Sequence, residues 1–297
     1  MFTNNLIGNI NYLSSTTDFT NKSTAIKYVP FELKLQLHYR VNNPYNFNID
    51  NNYRSYSSIK QEIVDLSYYA QNNIINYQTT TEIPEENLTY LQSGLKANNM
   101  SYMFYNCNNI KTIPKLNIDT SNVTNMYAMF SDCFYLTSLD LSNINTSNVT
   151  NMYAMFSDCF YLTSLDLSNF NTSNVTDMNF MFSNCNTLTS LDLSNFNTFN
   201  VTSMNSIFRN CISLTNLDLS NFNTSNVTDM SNMFNNCNSL TNVIGSLDLN
   251  SCTNIRYMFN NCNSNVHIHL KNVPSSLNLS NSRGTEGQHY IIDNYID

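Results

Sequence analysis

Apolar positions recur along this chain with a period of 26 residues, set against a background of Asn, Ser and Thr. Valine falls in step at Val123, Val149, Val175, Val201 and Val227, and phenylalanine at Phe104, Phe130, Phe156, Phe182, Phe208 and Phe234. Cysteine keeps the same beat from Cys107 to Cys237, with Cys262 one residue early. One stretch, TSNVTNMYAMFSDCFYLTSLDLSN, stands unchanged at Thr120–Asn143 and again at Thr146–Asn169. A fixed period of this length marks supersecondary units stacked in a row. A verbatim copy repeats the same side chains at a displaced point, so it builds length, whereas a catalytic pocket needs different side chains converging.

Within one unit, Leu188, Leu191 and Leu193 give L-x-x-L-x-L, the spacing of a coil that contributes one short strand and then turns. Ser194-Asn195 ends that strand, Asn being tolerant of left-handed backbone. Val201, Met204, Phe208 and Cys211 then step by three and four residues, which predicts one face of a helical turn. A unit this short cannot enclose a core, so neighbouring coils must stack and share one. Stacking sets equivalent residues about 4.8 Å apart and lines the interior with columns of Leu, Val, Met, Phe and Cys. Gly245 is the one glycine of the repeats, so Asn carries most turns, and Asn143, Asn169, Asn195 and Asn221 are placed to hydrogen-bond to one another along the stack. The predicted fold is a repeat solenoid, leucine-rich-repeat-like, with one short strand and a helical turn per coil.

The flanks lack the period. Phe31–Val41 alternates apolar and polar residues, the pattern of a strand with one wet face. Ser58-Ile-Lys-Gln61 offers a capping box for a helix carrying Ile59, Ile63, Leu66, Ala70 and Ile74, and Pro84 suits the first turn of a second helix ending near Gly94. Val266–Leu270 reads as a closing strand, stopped by Pro274. These readings divide the chain into a small α+β capping or attachment domain over 1–95, the solenoid over 96–270, and a C-terminal cap or tail over 271–297.

VTDMSNMFNNCNSLTNV and LTSLDLSNFNTSNVTDM resemble the BspA-like leucine-rich-repeat surface proteins, in the variant named for mycoplasma lipoproteins. The resemblance covers the repeats and not the first 95 residues. It implies a bacterial or protist surface protein, several such proteins being adhesins, and it carries over no catalytic residue.

Composition narrows the function. A net charge of -8 argues against a nucleic-acid partner, which needs clustered Lys and Arg. No apolar run reaches the roughly 18 residues of a membrane span. The opening MFTNNLIGNINYL has neither a basic start nor an apolar core of about 7–15 residues, so it does not read as a standard secretion signal. The sequence lacks G-x-S-x-G, H-E-x-x-H and the phosphate-binding G-x-x-x-x-G-K-[ST], which leaves an enzyme reading without an anchor. Seven of the eight cysteines share one column and none forms C-x-x-C, so they read as buried free thiols. Asp140, Asp166, Asp192 and Asp218 form a carboxylate row without the loop that cages calcium, and His267 and His269 lack a third ligand for zinc. No metal or cofactor is expected. The many N-x-[ST] sequons, among them Asn122 and Asn148, follow from composition.

Differences between coils carry the candidate site. The strand segment repeats nearly unchanged, while residues around the second turn vary. There the two identical copies place Tyr127, Phe134 and Tyr135, then Tyr153, Phe160 and Tyr161, where later copies carry Asn, Ser, Thr or Ile. Aromatic side chains outside the interior columns mark a candidate binding patch. The expected function is a non-enzymatic, adhesin-like module binding protein or glycan on a cell surface. The alternative is a subunit of a larger assembly, such as a virion fibre or decoration protein, anchored by residues 1–95.

Overall fold

The computed structural model describes residues 63–282 together with the backbone of Tyr290–Ile292. The strand expected at Phe31–Val41 and the capping box at Ser58 lie outside the described residues. What is described is a β-solenoid of about 7 turns with a period of about 26 residues. Every strand pairing is parallel, as it must be when each coil repeats the path of the one before.

The N-terminal edge begins with β1 (Ile63–Asp65), α1 (Tyr69–Asn73), α2 (Glu85–Leu91) and β2 (Leu95–Asn99). The spacing predicts one helix over 59–74; of its described part, 63–74, β1 instead pairs with β2 and only Tyr69–Asn73 is helical. The inward set survives the change: Leu66, Ala70 and Ile74 are all buried. Pro84 caps α2, where its missing N–H costs nothing. β2 pairs onward with β4 (Ile118–Asp119), which follows β3 (Thr112–Ile113); β3 pairs with β5 (Ser138–Leu139). Through the middle coils the ladder thins to single bridges, Asn125 to Asn151 to Asp177 to Ser203 to Asp229 to Asn254. Regular strands return with β6 (Asn216–Asp218), β7 (Asn242–Ile244), β8 (Ser246–Asp248) and β9 (Ile268–Lys271). Beyond β9 lie a 3-10 turn at Leu279–Ser282 and β10 (Tyr290–Ile292), which pairs with β9.

The expected helical turn is corrected by the structure. Val201, Met204, Phe208 and Cys211 do all point inward, each fully buried. Yet the backbone between them is a run of tight turns with left-handed residues at Ser206 and Asn210. Alternate N–H groups close local turns, as from Ile207 to the Met204 carbonyl and from Arg209 to that of Ser206. The others leave the coil: Met204, Ser206, Phe208 and Asn210 donate to the carbonyls of Asp229, Ser231, Met233 and Asn235 in the next one. A helix would spend those donors on its own i−4 carbonyls. Here they tie coil to coil, and left-handed residues make the alternation possible. The second left-handed position is Asn or Asp in every coil (Asn106, Asp132, Asp158, Asn184, Asn210, Asn236 and Asn261), the residues that tolerate it best.

Asn143, Asn169, Asn195 and Asn221 do not bond to one another, contrary to expectation. Their amides donate to main-chain carbonyls of the preceding coil, as Asn169 does to Leu141 and Ile144 at 2.9 and 2.8 Å. A buried threonine column does similar work from inside. The Thr146 hydroxyl donates to the Asn171 carbonyl at 3.0 Å and accepts the Asn171 N–H at 2.8 Å, so the side chain stands in for a strand residue. Thr120, Thr172, Thr198 and Thr224 repeat this.

The core is a set of ladders. Phe104, Phe130, Phe156, Phe182, Phe208, Phe234 and Phe259 are fully buried and stack with centroids 5.7–6.0 Å apart. That exceeds the coil spacing because parallel rings prefer an offset. Beside them the cysteines are free thiols, buried except for the half-buried Cys262. Each from Cys133 to Cys237 donates its S–H to a phenylalanine carbonyl of the preceding coil at 3.0–3.3 Å. Burial raises the thiol pKa throughout that row, to about 12 at Cys211, so these groups pack as inert apolar side chains.

Candidate interaction surface

The turn run between the buried Met and Cys columns forms one long corner of the solenoid. Its inward residues are fixed by packing, and its outward positions are those that differ between copies. Of the six aromatic residues singled out from sequence, Tyr127 and Tyr153 lie on this run and the other four follow directly on its cysteines; they form three stacked pairs. Tyr127 stacks on Tyr153 at 4.6 Å and 3°, Phe134 on Phe160 at 4.9 Å and 13°, and Tyr135 on Tyr161 at 5.2 Å and 6°. Tyr135 and Tyr161 are exposed, at 47% and 48%, and the other four are half-buried. The verbatim duplication is the cause: identical residues one coil apart fall face to face.

The tyrosine row is longer than the sequence period suggested. Tyr102 stacks on Tyr68 at 4.5 Å and meets Tyr127 at 5.0 Å, while Tyr153 meets Phe180 at 5.4 Å. Burial is the largest cause that raises the pKa of Tyr102 and Tyr127, so these phenols stay protonated.

A polar ladder runs beside the rings, and sequence reasoning missed it. Asn261 donates to Asn236 at 2.8 Å, Asn236 to Asn210 at 2.6 Å, Asn210 to Asn184, and Asn184 to Asp158 at 2.8 Å. Below Asp158, one coil back in the same row, lies Asp132. Burial, reinforced by the Asp158 charge, raises the Asp132 pKa. The signal was present as an Asn or Asp one residue before each cysteine of the column.

Other candidates sit elsewhere. Asp140, Asp166, Asp192 and Asp218 each accept the N–H of the serine two residues on at 2.9–3.0 Å, which lowers their pKa and commits them to turns. His269 lies on β9 and His267 just before it. Among the described residues no group of three or more His, Cys, Asp or Glu is placed to hold a metal ion, and no helix is long and apolar enough to cross a membrane.

Fold and corner together define a polar-surfaced β-solenoid whose aromatic side chains stack in rows along one corner. The repeats match, over residues 94–165 and 161–272, the family described as Mycoplasma protein of unknown function, DUF285. The chain belongs to that family. No curated protein and no solved structure matches it.

Proposed function

We propose that this chain is a non-enzymatic recognition solenoid, akin to the BspA-like leucine-rich-repeat surface proteins, that binds protein or glycan along its aromatic corner. One observation carries the reading: coils that share their interior Val, Phe and Cys columns differ on the corner, where half-buried and exposed side chains meet solvent. Variation on a fixed scaffold is how repeat proteins change partners without changing fold. Tyrosine suits such a surface because it offers a large rigid ring and a hydroxyl at little entropic cost. The same stacking limits the mode of contact, since paired rings turn their faces to each other and present edges and hydroxyls outward.

The test is an array of host-surface proteins and glycans probed with the full chain and with Tyr127, Tyr135, Tyr153 and Tyr161 all changed to Ser. The partner found with the native chain should be lost by the variant, with circular dichroism unchanged. Full binding by the folded quadruple variant removes the corner from consideration.

A further inference from the structure

We propose that Tyr135 and Tyr161 form an oxidative modification site, at which peroxide acting through a haem peroxidase joins two successive coils by a carbon–carbon bond. This goes beyond the recognition reading and does not depend on it. Both rings are exposed, at 47% and 48%, so an oxidant can reach them. They lie parallel within 6°, with centroids 5.2 Å apart. Their backbones are held at coil spacing, because the Tyr135 N–H donates to the Asn108 carbonyl at 3.2 Å and the Tyr161 N–H to that of Phe134 at 3.3 Å. The rings can turn but not part.

The pair is also closed. The equivalent positions one coil away are Asn109 before and Thr187 after, so the row holds two phenols and no third. A radical formed on either ring has a single stacked partner. The Tyr68-to-Tyr153 row differs in two respects: it has more members, and its inner rings are half-buried.

The step balances as follows. Each phenol gives up one electron and its hydroxyl proton, and hydrogen peroxide takes both pairs to leave two waters. The phenoxyl radicals carry spin on the ring carbons beside the oxygen. A bond forms between one such carbon on each ring, and each then passes its hydrogen back to an oxygen, restoring two phenols. Fixed proximity favours this coupling over collision with another molecule. The product ties the second turn of one coil to that of the next, so the unfolded chain has fewer states to reach.

The experiment treats the full chain with hydrogen peroxide and a haem peroxidase, isolates the monomer band, and cleaves before aspartate. Residues 132–139 and 158–165 then give the same octapeptide, DCFYLTSL. The expected product is two copies of it joined through tyrosine, with blue dityrosine fluorescence and a raised unfolding midpoint. Tyr161→Phe keeps a stacked ring but cannot couple, and it should abolish the joined octapeptide. The proposal is overturned if that product appears only in covalent dimers. It is equally overturned if the yield is unchanged when the chain is unfolded in urea before oxidation, or if native monomer yields none.

Discussion

Phe182→Ala tests the stacked core at its centre. The ring is fully buried, 5.9 Å from Phe156 and 6.0 Å from Phe208, nearly parallel to both. Truncating a buried phenylalanine costs about 3–5 kcal/mol, more where the surroundings cannot collapse. Here they cannot, since Phe156 rests on Phe130 and Phe208 on Phe234, each pair stacked in turn. The upper end of that range is expected, a large part of the roughly 5–15 kcal/mol that holds a domain folded. Phe182→Leu separates the contributions: it keeps most of the apolar volume and loses chiefly two ring pairs, worth about 0.5–1.5 kcal/mol each. The bond from the Cys211 thiol to the Phe182 carbonyl involves only the main chain and survives both changes. Urea titration reads the stability. Native-state hydrogen exchange reads its spread, with protection falling first at the amides of Phe156 and Phe182, whose bonds to the Met181 and Ile207 carbonyls tie the mutated coil to its neighbours on either side. A midpoint equal to wild type for Phe182→Ala would refute the ladder as the source of stability.

Deleting Thr146 through Asn171, one whole period, should leave a shorter folded solenoid, because the Phe, Cys and Thr columns close up in register; a 13-residue deletion should not fold. Circular dichroism and thermal unfolding check both, and an unfolded whole-period variant would show that the coils are not interchangeable. Stability should respond to pH in two opposing windows. The Asp132 and Asp177 pKa values are raised in the fold, chiefly by burial, so the folded state binds their protons more tightly and gains stability as pH falls from neutral towards 3.8. Asp119, Asp140, Asp166, Asp192 and Asp218 are lowered by bonds from serine, so their contribution is present above 3.8 and is lost as pH falls further. Asp132→Asn should flatten the first window and add about 1 kcal/mol at neutral pH through an amide bond of the kind Asn184 makes; an unchanged slope between pH 7 and pH 4 would refute the assignment.

The columns were legible because each interior residue is dictated by the same neighbours in every coil. Val, Met, Phe and Cys recur where burial is complete, and the sequence period reports that directly. The backbone between them was not legible from the spacing. A run of turns with a left-handed residue every fourth position brings residues three and four apart to one side, as a helical turn does. Asn106, Asp132 and their equivalents were the distinguishing mark, since Asn and Asp are weak helix formers that tolerate left-handed backbone. The six corner aromatics were legible because the duplication displays them twice. Tyr102 was not, because it precedes Tyr127 by one residue less than the period, and Tyr68 lies in a segment that carries no repeat at all.

The corner also explains why the two ends of the described solenoid look as they do. In an ordinary parallel sheet each strand sends donors and acceptors both ways, so an exposed edge carries both. Here the N–H groups of the turn run that leave their coil all face the next one, and the carbonyls that accept them all face the previous one. Each end therefore needs its own remedy. At the first edge, Leu66, Tyr68 and Ala70 donate to the carbonyls of Asn99, Ser101 and Met103, and their own carbonyls are used by the short helix, through Tyr69, Asn72 and Ile74. A helix is the element that can satisfy acceptors with no further coil to supply donors. At the last edge the need is reversed, for the N–H groups of Tyr257 and Phe259 have no further repeat to meet. The carbonyls of Asn281 and Ser282, in the 3-10 turn, accept them at 2.8 and 2.9 Å. A helix at one end and an acceptor-bearing turn at the other follow from one cause, the polarity of the corner. Copying a middle coil lengthens the solenoid without disturbing either cap, because every added coil brings one row of donors and one row of acceptors in the same orientation.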